Sequence, residues 1–517
     1  MDTNNLAERG KHHNKMKQND LTIIGGGSAG LVLAVASAKL GKSTALVEKH
    51  RLGGDCLWTG CVPSKAILKA AKIANYVKEA GKYGIKVDGA QVDFERVMAH
   101  VTSAQDAIEK EHDNPERFRE MGIDVIFGNG RFDSPQSFIV EDREESRIRV
   151  LGSKKFVIST GSRPAIPAIP GLETGGYLHS ENIWNLKKLP SKLLVVGAGP
   201  IGVELGQAFH RLGTEVIIVQ QRDRILPKEE PEVSERMLTY LREEGITILP
   251  SARLVKVTDH DWSPQYGDRH NEPRLGHYSV NLDIAGEAFS LDVDQILVAA
   301  GRQPNTEGLG LDEIGVEVAP TGICVNKKLQ TTVSNIFAAG DVIGHYLFTH
   351  AAAFQAAQIV RNIFFPGSNA IDYSAVPWTT FCDPEVARCG MTEAEARDKH
   401  GEVDVFAVEL RDVDRAVADG ETKGFIKVVA TKWTGKILGA HLVCPAAGEV
   451  IHEFVLAMKE GIPLRKLGSM IHVYPTFSSI VWRVAGKWLA EGKLIQTVRG
   501  ILSTTGGDEN KQTHKLR

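Results

Sequence analysis

The sequence predicts an α/β fold with two Rossmann-like dinucleotide-binding domains and a smaller α+β domain after them. Two stretches, near residues 21–48 and 192–219, each read as strand, glycine-rich turn, helix and second strand. This is the βαβ unit that binds dinucleotides. After about residue 369 the chain changes to strand patterns such as GFIKVVAT interrupted by helices, which is typical of an α+β domain. A chain of 517 residues has room for about three domains.

The composition favours a protein that acts on small molecules. Lys and Arg number 61 against 64 Asp and Glu, so the formal net charge of -3 gives no general attraction to nucleic acid or to an anionic membrane. The polar N-terminus has no signal-peptide core, no stretch is long and apolar enough to cross a bilayer, and the cysteines form no zinc-ligand pattern. We therefore predict a cytoplasmic protein with a small-molecule substrate, no bound metal, and neither nucleic acid nor membrane as a partner.

The first βαβ unit carries a complete dinucleotide pattern. Gly25, Gly27 and Gly30 form G-x-G-x-x-G between a strand and a helix, where glycines let the backbone approach a pyrophosphate at the helix N-terminus. Glu48 ends the second strand, where a carboxylate accepts hydrogen bonds from ribose hydroxyls. The other interpretation is a turn that serves only packing.

The second unit repeats the turn without the acid. Gly197, Gly199 and Gly202 keep the glycine spacing, but the strand ends at Gln220. An acid here would prefer the free 2′-hydroxyl of NAD, whereas an arginine such as Arg222 accommodates a 2′-phosphate. The sequence therefore favours NADPH over NADH, unless the arginine belongs only to a solvated loop.

Two cysteines follow the first unit in the run GGDCLWTGCVPSK. Positions five apart on one regular helix, such as Cys56 and Cys61, are separated by roughly 7.5 Å along the axis, more than the ~4.4 to 6.8 Å between the Cα atoms of a disulfide. At least one of the two must lie off a regular helix, and Gly60 gives the backbone freedom for such a turn. A dithiol beside a nucleotide site predicts an oxidoreductase; the other interpretation is two ordinary core cysteines.

The runs CLWTGCVPSK, GAGPIGVELG, STGSRP, AAGRQPNT and FAAGDV together resemble the FAD-dependent pyridine nucleotide-disulfide oxidoreductases, the class of dihydrolipoamide dehydrogenase, glutathione reductase and mercuric reductase. The resemblance covers roughly residues 20–495. It implies FAD and NADPH or NADH as cofactors and a homodimer. It also implies an FAD-binding domain in two segments (20–161 and 307–368) around an NAD(P)-binding domain (162–306), followed by a dimerisation domain (369–498). The polar composition of the two ends predicts a disordered tail (1–19) and a loose tail (499–517).

The resemblance also implies roles for individual residues. Electrons would pass from NAD(P)H through the flavin to the Cys56–Cys61 disulfide and on to substrate, with Cys61 facing the flavin and Cys56 attacking substrate. Lys65 and Glu204 match a pair near the reactive edge of the flavin, although without the resemblance both are ordinary helix residues. The implied cofactor contacts are Gly25, Gly27, Ser28, Gly30, Glu48, Lys49, Gly54, Thr160, Gly161, Gly340 and Asp341, with Gly197, Gly199, Gly202, Gln220, Arg222, Gly301 and Arg302. Of these, Gly301 and Arg302 match the nicotinamide side.

The C-terminal segment IHVYPTFSS departs from the family pattern. Disulfide-reducing members have His-Pro-Thr followed by Glu, whereas Tyr474 precedes Pro475 here and Ser479 replaces the acid. A tyrosine, with a pKa near ~10 against ~6.5 for histidine, is a poor base at neutral pH. His472 either replaces the missing histidine or has a structural role. No cysteine follows Cys444, so the C-terminal cysteine pair of mercuric reductases is absent from this sequence.

Three hypotheses of function follow. The first is a disulfide oxidoreductase that uses NAD(P)H and FAD and acts on a thiol, a disulfide or a soft metal ion. The second is a flavin reductase that passes electrons to quinones, metal complexes or oxygen. The third is a non-catalytic subunit that keeps the fold for assembly. The intact glycines and cysteines favour the first.

Overall fold

The computed structural model describes residues 18–89, 91–172, 176–261, 275–491, 496–498 and 500–502. Most of the predicted N-terminal tail and nearly all of the predicted C-terminal tail lie outside these residues. The sequence predicts a tail through residue 19, but the first strand begins at Gln18. Gln18 and Asn19 pair with Gly152 and Ser153, and Asn19 is buried, so both residues belong to the sheet.

The first third of the chain forms a parallel sheet with an antiparallel extension. Its elements are β1 (Gln18–Ile24), α1 (Ser28–Lys39), β2 (Thr44–Glu48), α2 (Gly54–Trp58), α3 (Cys61–Glu79), α4 (Phe94–Ile108), α5 (Pro115–Glu120), β3 (Asp124–Ser134), β4 (Ser137–Asp142), β5 (Arg147–Ile158) and β6 (Ser162–Pro164). A 3₁₀ turn (Ala80–Tyr83) follows α3 and a π turn (Glu109–Asp113) follows α4. The apolar residues of β1 are almost completely buried, as expected for a central parallel strand covered on both faces.

The middle of the chain builds the second βαβ unit. Its elements are β7 (Lys192–Val196), α6 (Pro200–Leu212), β8 (Glu215–Gln220), α7 (Pro231–Glu244), β9 (Thr247–Pro250), β10 (Ala252–Asp259), β11 (Tyr278–Ile284), β12 (Glu287–Val293), β13 (Gln295–Val298) and β14 (Arg302–Pro304). A parallel sheet has the order β13-β7-β8-β9, and β10-β11-β12 form an antiparallel sheet. Asp259 pairs with Tyr278, so β10 and β11 form a hairpin. Residues 262–274, between these two strands, lie outside the described residues.

The chain then returns to the first sheet through β15 (Val318–Ala319), β16 (Gly322–Ile323), β17 (Ile336–Ala338) and α8 (Thr349–Phe364). Because β17 pairs with β5, the parallel strands of that sheet have the order β3-β2-β1-β5-β17. The strand β14 pairs antiparallel with β6, so the two connections to the middle segment run side by side. This ribbon places the second unit next to the dithiol segment.

The last segment of the chain is a five-stranded antiparallel sheet with helices, in the order β18-β19-β22-β21-β20. Its elements are β18 (Pro377–Thr380), β19 (Glu385–Gly390), α9 (Glu393–His400), β20 (Val403–Glu409), α10 (Asp414–Asp419), β21 (Phe425–Thr431), β22 (Ile437–Cys444), α11 (Ala447–Lys459), α12 (Leu464–Leu467) and α13 (Ser479–Glu491). Among the described helices, none combines the length and the apolar character that crossing a membrane requires.

Candidate active site

The first glycine turn leaves no room for side chains. A Cβ on Gly30 would lie 1.9 Å from the carbonyl oxygen of Gly25, and a Cβ on Gly25 would lie 2.3 Å from that of Ser159. Gly25 also has φ of +107°, which other residues rarely adopt. The turn therefore brings the N-terminus of α1 close to β1 and leaves the backbone N–H groups open to an anion.

Glu48 lies at the end of β2 and is held by the backbone around it. Its Oε2 accepts a hydrogen bond of 2.7 Å from the N–H of Gly26, and its Oε1 accepts one of 2.6 Å from the N–H of His50. These bonds fix the carboxylate beside the glycine turn. Its remaining lone pairs suit the hydroxyls of a ribose.

A cavity of about 1560 Å³ extends from this turn to the two cysteines. Gly54 and Gly27, which both line it, approach each other closely, since a Cβ on Gly54 would lie 2.7 Å from the Cα of Gly27. The sequence-predicted residues that line it are Gly25, Gly27, Ser28, Glu48, Lys49, Gly54, Cys56, Cys61, Lys65, Thr160, Gly161, Glu204, Arg302, Gly340 and Asp341. Its size, its glycine walls and the carboxylate near one end fit an extended dinucleotide such as FAD.

The two cysteines lie on different helices. Cys56 is in the single turn of α2, and Cys61 is the first residue of α3. The prediction that at least one cysteine lies off a regular helix takes another form here: each cysteine lies in a helix, and the two helices are separated at Thr59 and Gly60. Both thiols are free, and Cys61 Sγ lies 3.2 Å from Thr349 Oγ1 at the start of α8.

The thiol of Cys61 has its pKa lowered to about 6, chiefly because it accepts a hydrogen bond from Cys56. The hydroxyl of Thr349 and the positive charge of Lys65 act in the same direction, and burial opposes them. The position at the N-terminus of α3 adds to this effect. The pKa of Cys56 is raised, chiefly because its proton is shared with Cys61. The reduced pair thus holds one proton, on Cys56.

Lys65 and Glu204 form an ion pair beside the dithiol. Lys65 Nζ lies 2.9 Å from Glu204 Oε2, and 4.2 Å from the centre of the Phe381 ring. Glu204 is buried and its Oε1 accepts a hydrogen bond of 2.8 Å from the N–H of Phe381. Because Glu204 lies on α6, the second βαβ unit contributes directly to the cavity.

The second glycine turn repeats the geometry of the first. A Cβ on Gly202 would lie 1.9 Å from the carbonyl oxygen of Gly197, which has φ of +108°. Gln220 is buried at the end of β8, and Arg222 is exposed just after it. Seven of the predicted cofactor contacts do not line the large cavity: Gly30, Gly197, Gly199, Gly202, Gln220, Arg222 and Gly301. Gly30 instead packs against the backbone of its own turn.

Arg302, which matches the nicotinamide side by resemblance, lines the large cavity and contacts residues of the first segment. Its Nε donates a hydrogen bond of 2.7 Å to Ser162 Oγ and lies 3.6 Å from Asp341 Oδ2. Ser162 Oγ in turn donates a hydrogen bond of 2.6 Å to Asp341. Burial raises the pKa of Asp341. Sequence reasoning missed Ser162 and Thr349, because only the folded chain brings them to these partners.

Neither Tyr474 nor His472 lines this cavity. Tyr474 is 72% exposed. His472 Nε2 lies 3.0 Å from Glu453 Oε1 on α11, so the ring has a carboxylate partner although Ser479 occupies the position where an acid is expected. Sequence reasoning missed Glu453 because it lies on another helix.

Three other cysteines are buried and do not belong to the site. Cys382, Cys389 and Cys444 are buried, and burial raises the pKa of both Cys389 and Cys444 to about 12. Such thiols pack as small apolar groups. Within the described segments of the chain, no group of three or more His, Cys, Asp or Glu side chains is arranged to hold a metal ion.

Comparison with known proteins gives consistent matches. A family model described as pyridine nucleotide-disulphide oxidoreductase matches residues 19–356, and one described as the dimerisation domain of that group matches residues 376–485. A mercuric reductase of Lysinibacillus sphaericus is 35% identical over 463 residues, which are 89% of this chain and 80% of the relative. A dihydrolipoyl dehydrogenase of Bacillus subtilis is 33% identical over 486 residues, 92% of this chain and 98% of the relative. The solved Cu(II) complex of the HOCl-induced flavoprotein disulfide reductase RclA from Escherichia coli is similar with a TM-score of 0.78 and 28% identity, covering 91% of this chain and 99% of that one.

Proposed function

The chain belongs to the pyridine nucleotide-disulphide oxidoreductase family, and from this premise we propose that Cys56 and Cys61 are its redox-active pair. Membership makes the protein a flavoprotein enzyme that uses FAD and NAD(P)H and acts on sulfur groups. As its physiological substrate we propose a small disulfide or a soft metal ion.

One observation carries the proposal. The thiol of Cys61 has a pKa of about 6, so at neutral pH the reduced pair is a thiolate on Cys61 next to a thiol on Cys56. The pair lines the same cavity as the first glycine turn. A buried structural cysteine has the opposite property, a raised pKa, as in Cys389.

The bound flavin supplies two-electron transfer between the nucleotide and the cysteine pair. The side chains of this chain control charge and protons around that transfer. Reduction of the Cys56–Cys61 disulfide takes up two electrons and one proton and leaves a thiol and a thiolate, the state favoured by the hydrogen bond between them. Lys65 places a positive charge near the thiolate, and the buried Glu204 orients that lysine.

A disulfide substrate is reduced by exchange. Cys56 loses its proton and attacks one sulfur of the substrate, which releases one substrate thiol and forms a mixed disulfide. The Cys61 thiolate then attacks the Cys56 sulfur, releases the second substrate sulfur as a thiolate and restores the Cys56–Cys61 disulfide. The single proton of the pair ends on the first released thiol, so the step needs a group that accepts this proton from Cys56 and passes it on.

We propose that a second copy of the chain supplies this group. The segment before Pro475 leaves three apolar or aromatic side chains largely exposed: Ile471 by 101%, Val473 by 76% and Tyr474 by 72%. The segment lies within the match to the dimerisation domain. A homodimer would cover these side chains and carry His472, oriented by Glu453, toward the partner's dithiol. An Ile471→Glu variant that sediments as a dimer like the wild type would refute this.

The relatives support a soft metal ion as one substrate class, since they include mercuric reductases and a flavoprotein reductase crystallised with Cu(II). The test is steady-state turnover with NADPH and three acceptors: an aromatic disulfide, Cu(II) or Hg(II), and a quinone. Cys56→Ser should abolish turnover of the first two. If Cys56→Ser keeps full activity on every acceptor, the protein is a flavin reductase with an idle dithiol.

We also propose the predicted domain ranges as the working division of the chain. The antiparallel pairing of β6 with β14 supports boundaries near residues 162 and 306, where the chain enters and leaves the middle segment. Limited proteolysis tests this division. A stable fragment that runs through residue 162 or residue 306, with no cleavage near either residue, would contradict it.

A further inference from the structure

We propose that Asp55 is a positioning residue of the dithiol, which fixes the helix that carries Cys56 and places a negative charge next to that cysteine. The proposal rests on the proposed function of Cys56 and Cys61. It assigns a role to a residue that precedes the first cysteine and that the mechanism above does not use.

Both carboxylate oxygens of Asp55 have a partner within the protein. Oδ1 accepts a hydrogen bond of 2.5 Å from Thr59 Oγ1, and the backbone carbonyl of Asp55 accepts one of 2.9 Å from the N–H of Thr59. Oδ2 lies 3.1 Å from Arg302 Nη2. These contacts span the short helix α2 and the break before Cys61, so they hold the spacing of the two thiols.

Arg302 connects this helix to the opposite wall of the cavity. Its side chain is only 12% exposed, it donates to Ser162, and it lies 3.6 Å from Asp341 Oδ2. The guanidinium of Arg302 therefore lies between two carboxylates, that of Asp55 on α2 and that of Asp341 after β17. Arg302 and Ser162 belong to the paired strands β14 and β6. These two strands, which connect to the middle segment, therefore hold helix α2 in place through the contact of Arg302 with Asp55.

The charge of Asp55 acts on both thiols. The hydrogen bond between the thiols and their burial shift the pKa values of Cys56 and Cys61 most, and the charge of Asp55 adds a smaller upward shift to both, whereas Lys65 lowers the pKa of Cys61. The other charged or titratable side chains that line the cavity are Glu48, Lys49, His50, Arg51, Arg163, Glu181, Glu204, Arg302, Glu307, Asp341, His350, Glu449 and His452. Of these, Glu204 pairs with Lys65 and Arg302 pairs with Asp55.

The position of Asp55 has a redox consequence. Reduction of the disulfide with two electrons and one proton adds one negative charge to the pair. A carboxylate next to it makes that product less favourable, so the dithiol becomes the stronger reductant toward its substrate. Arg302 limits the effect by pairing with the carboxylate, and Thr59 keeps the carboxylate in place.

The experiment measures the alkylation rate of the reduced pair by iodoacetamide against pH, and its equilibrium with dithiothreitol, in the holoprotein. Asp55→Asn keeps the shape and the bond from Thr59 but removes the charge. We expect the pH midpoint of the alkylation rate to move to a lower value and the equilibrium constant for reduction to rise about fivefold, because Arg302 and solvent screen the charge of Asp55. Thr59→Val keeps the charge of Asp55, so the pH midpoint of alkylation should not move to a lower value.

Asp106→Asn on the exposed face of α4 is the matched control, since it removes a carboxylate outside the cavity. An unchanged or raised midpoint in Asp55→Asn would overturn the proposal. If that variant does not fold, Arg302→Gln, which leaves Asp55 unpaired, should move the midpoint upward, and no movement overturns the proposal as well. Failure of the proposed function looks different: the wild type itself would then lack a thiolate that titrates near neutral pH.

Discussion

Replacing Lys65 with methionine tests how the chain stabilises the Cys61 thiolate. Lys65 lies one helical turn after Cys61 on α3, a rise of about 6 Å for four residues. A unit charge at that distance contributes about 3 kcal/mol at an effective dielectric constant of about 20. Lys65 is 38% exposed and Glu204 lies 2.9 Å away, so screening and the counter-charge reduce this to about 1 kcal/mol.

Lys65→Met should therefore lower the thiolate fraction about fivefold at pH values below the midpoint. Removing the lysine also leaves Glu204 as an unpaired buried carboxylate, which costs about 3 to 5 kcal/mol of folding free energy. The double variant with Glu204→Gln avoids that cost and is the matched control. The assay is thiolate absorbance near the ultraviolet edge against pH, together with urea unfolding. A single variant that titrates like the wild type would refute this reasoning.

The other predictions concern the cofactor sites, the proton acceptor and pH. Gly30→Ala, whose Cβ would lie 1.9 Å from a carbonyl oxygen, should lose FAD on purification, whereas Gly81→Ala, outside the cavity lining and with no atom within 4 Å of its Cβ, should keep it; equal flavin content would contradict this. Arg222→Ala should lower kcat/KM for NADPH about tenfold and leave that for NADH unchanged. His472→Gln should lower disulfide turnover about a hundredfold but not the rate of flavin reduction by NADPH in stopped flow. Because the pKa of Cys61 is lowered to about 6, its thiolate stabilises the reduced fold above the unfolded pKa of about 8.5 and loses this as pH falls through about 6; chemical unfolding of the wild type and Cys61→Ser against pH measures the difference.

Local pattern predicted the features of the site that depend on neighbouring residues. The strand, glycine turn and helix around Gly25 and around Gly197 have the predicted form, because periodicity and the steric demands of the turn are encoded within about thirty residues. The break between Cys56 and Cys61 followed from helix geometry alone.

Apart from the pair of Lys65 and Glu204, which the resemblance implied, contacts between distant segments were not predictable from one sequence. Thr349 lies beside Cys61, and Glu453 orients His472, only because sheets and helices far apart in the chain pack together. The placement of Arg302 in the large cavity depends on the pairing of β6 with β14, for which a three-residue strand leaves little pattern. Sequence reasoning thus identified the reactive groups more completely than the side chains that hold them.

The most direct test of the account is an anaerobic titration of the purified holoenzyme with NADPH, with Cys56→Ser and Cys61→Ser beside it. We expect the first equivalent of NADPH to produce a long-wavelength absorbance band from a Cys61 thiolate next to the flavin. In Cys56→Ser, which cannot form the disulfide, the band should be present before NADPH is added, and in Cys61→Ser it should be absent throughout. A flavin that simply bleaches in the wild type, with no such band, would contradict the claim that the two cysteines are a working redox pair.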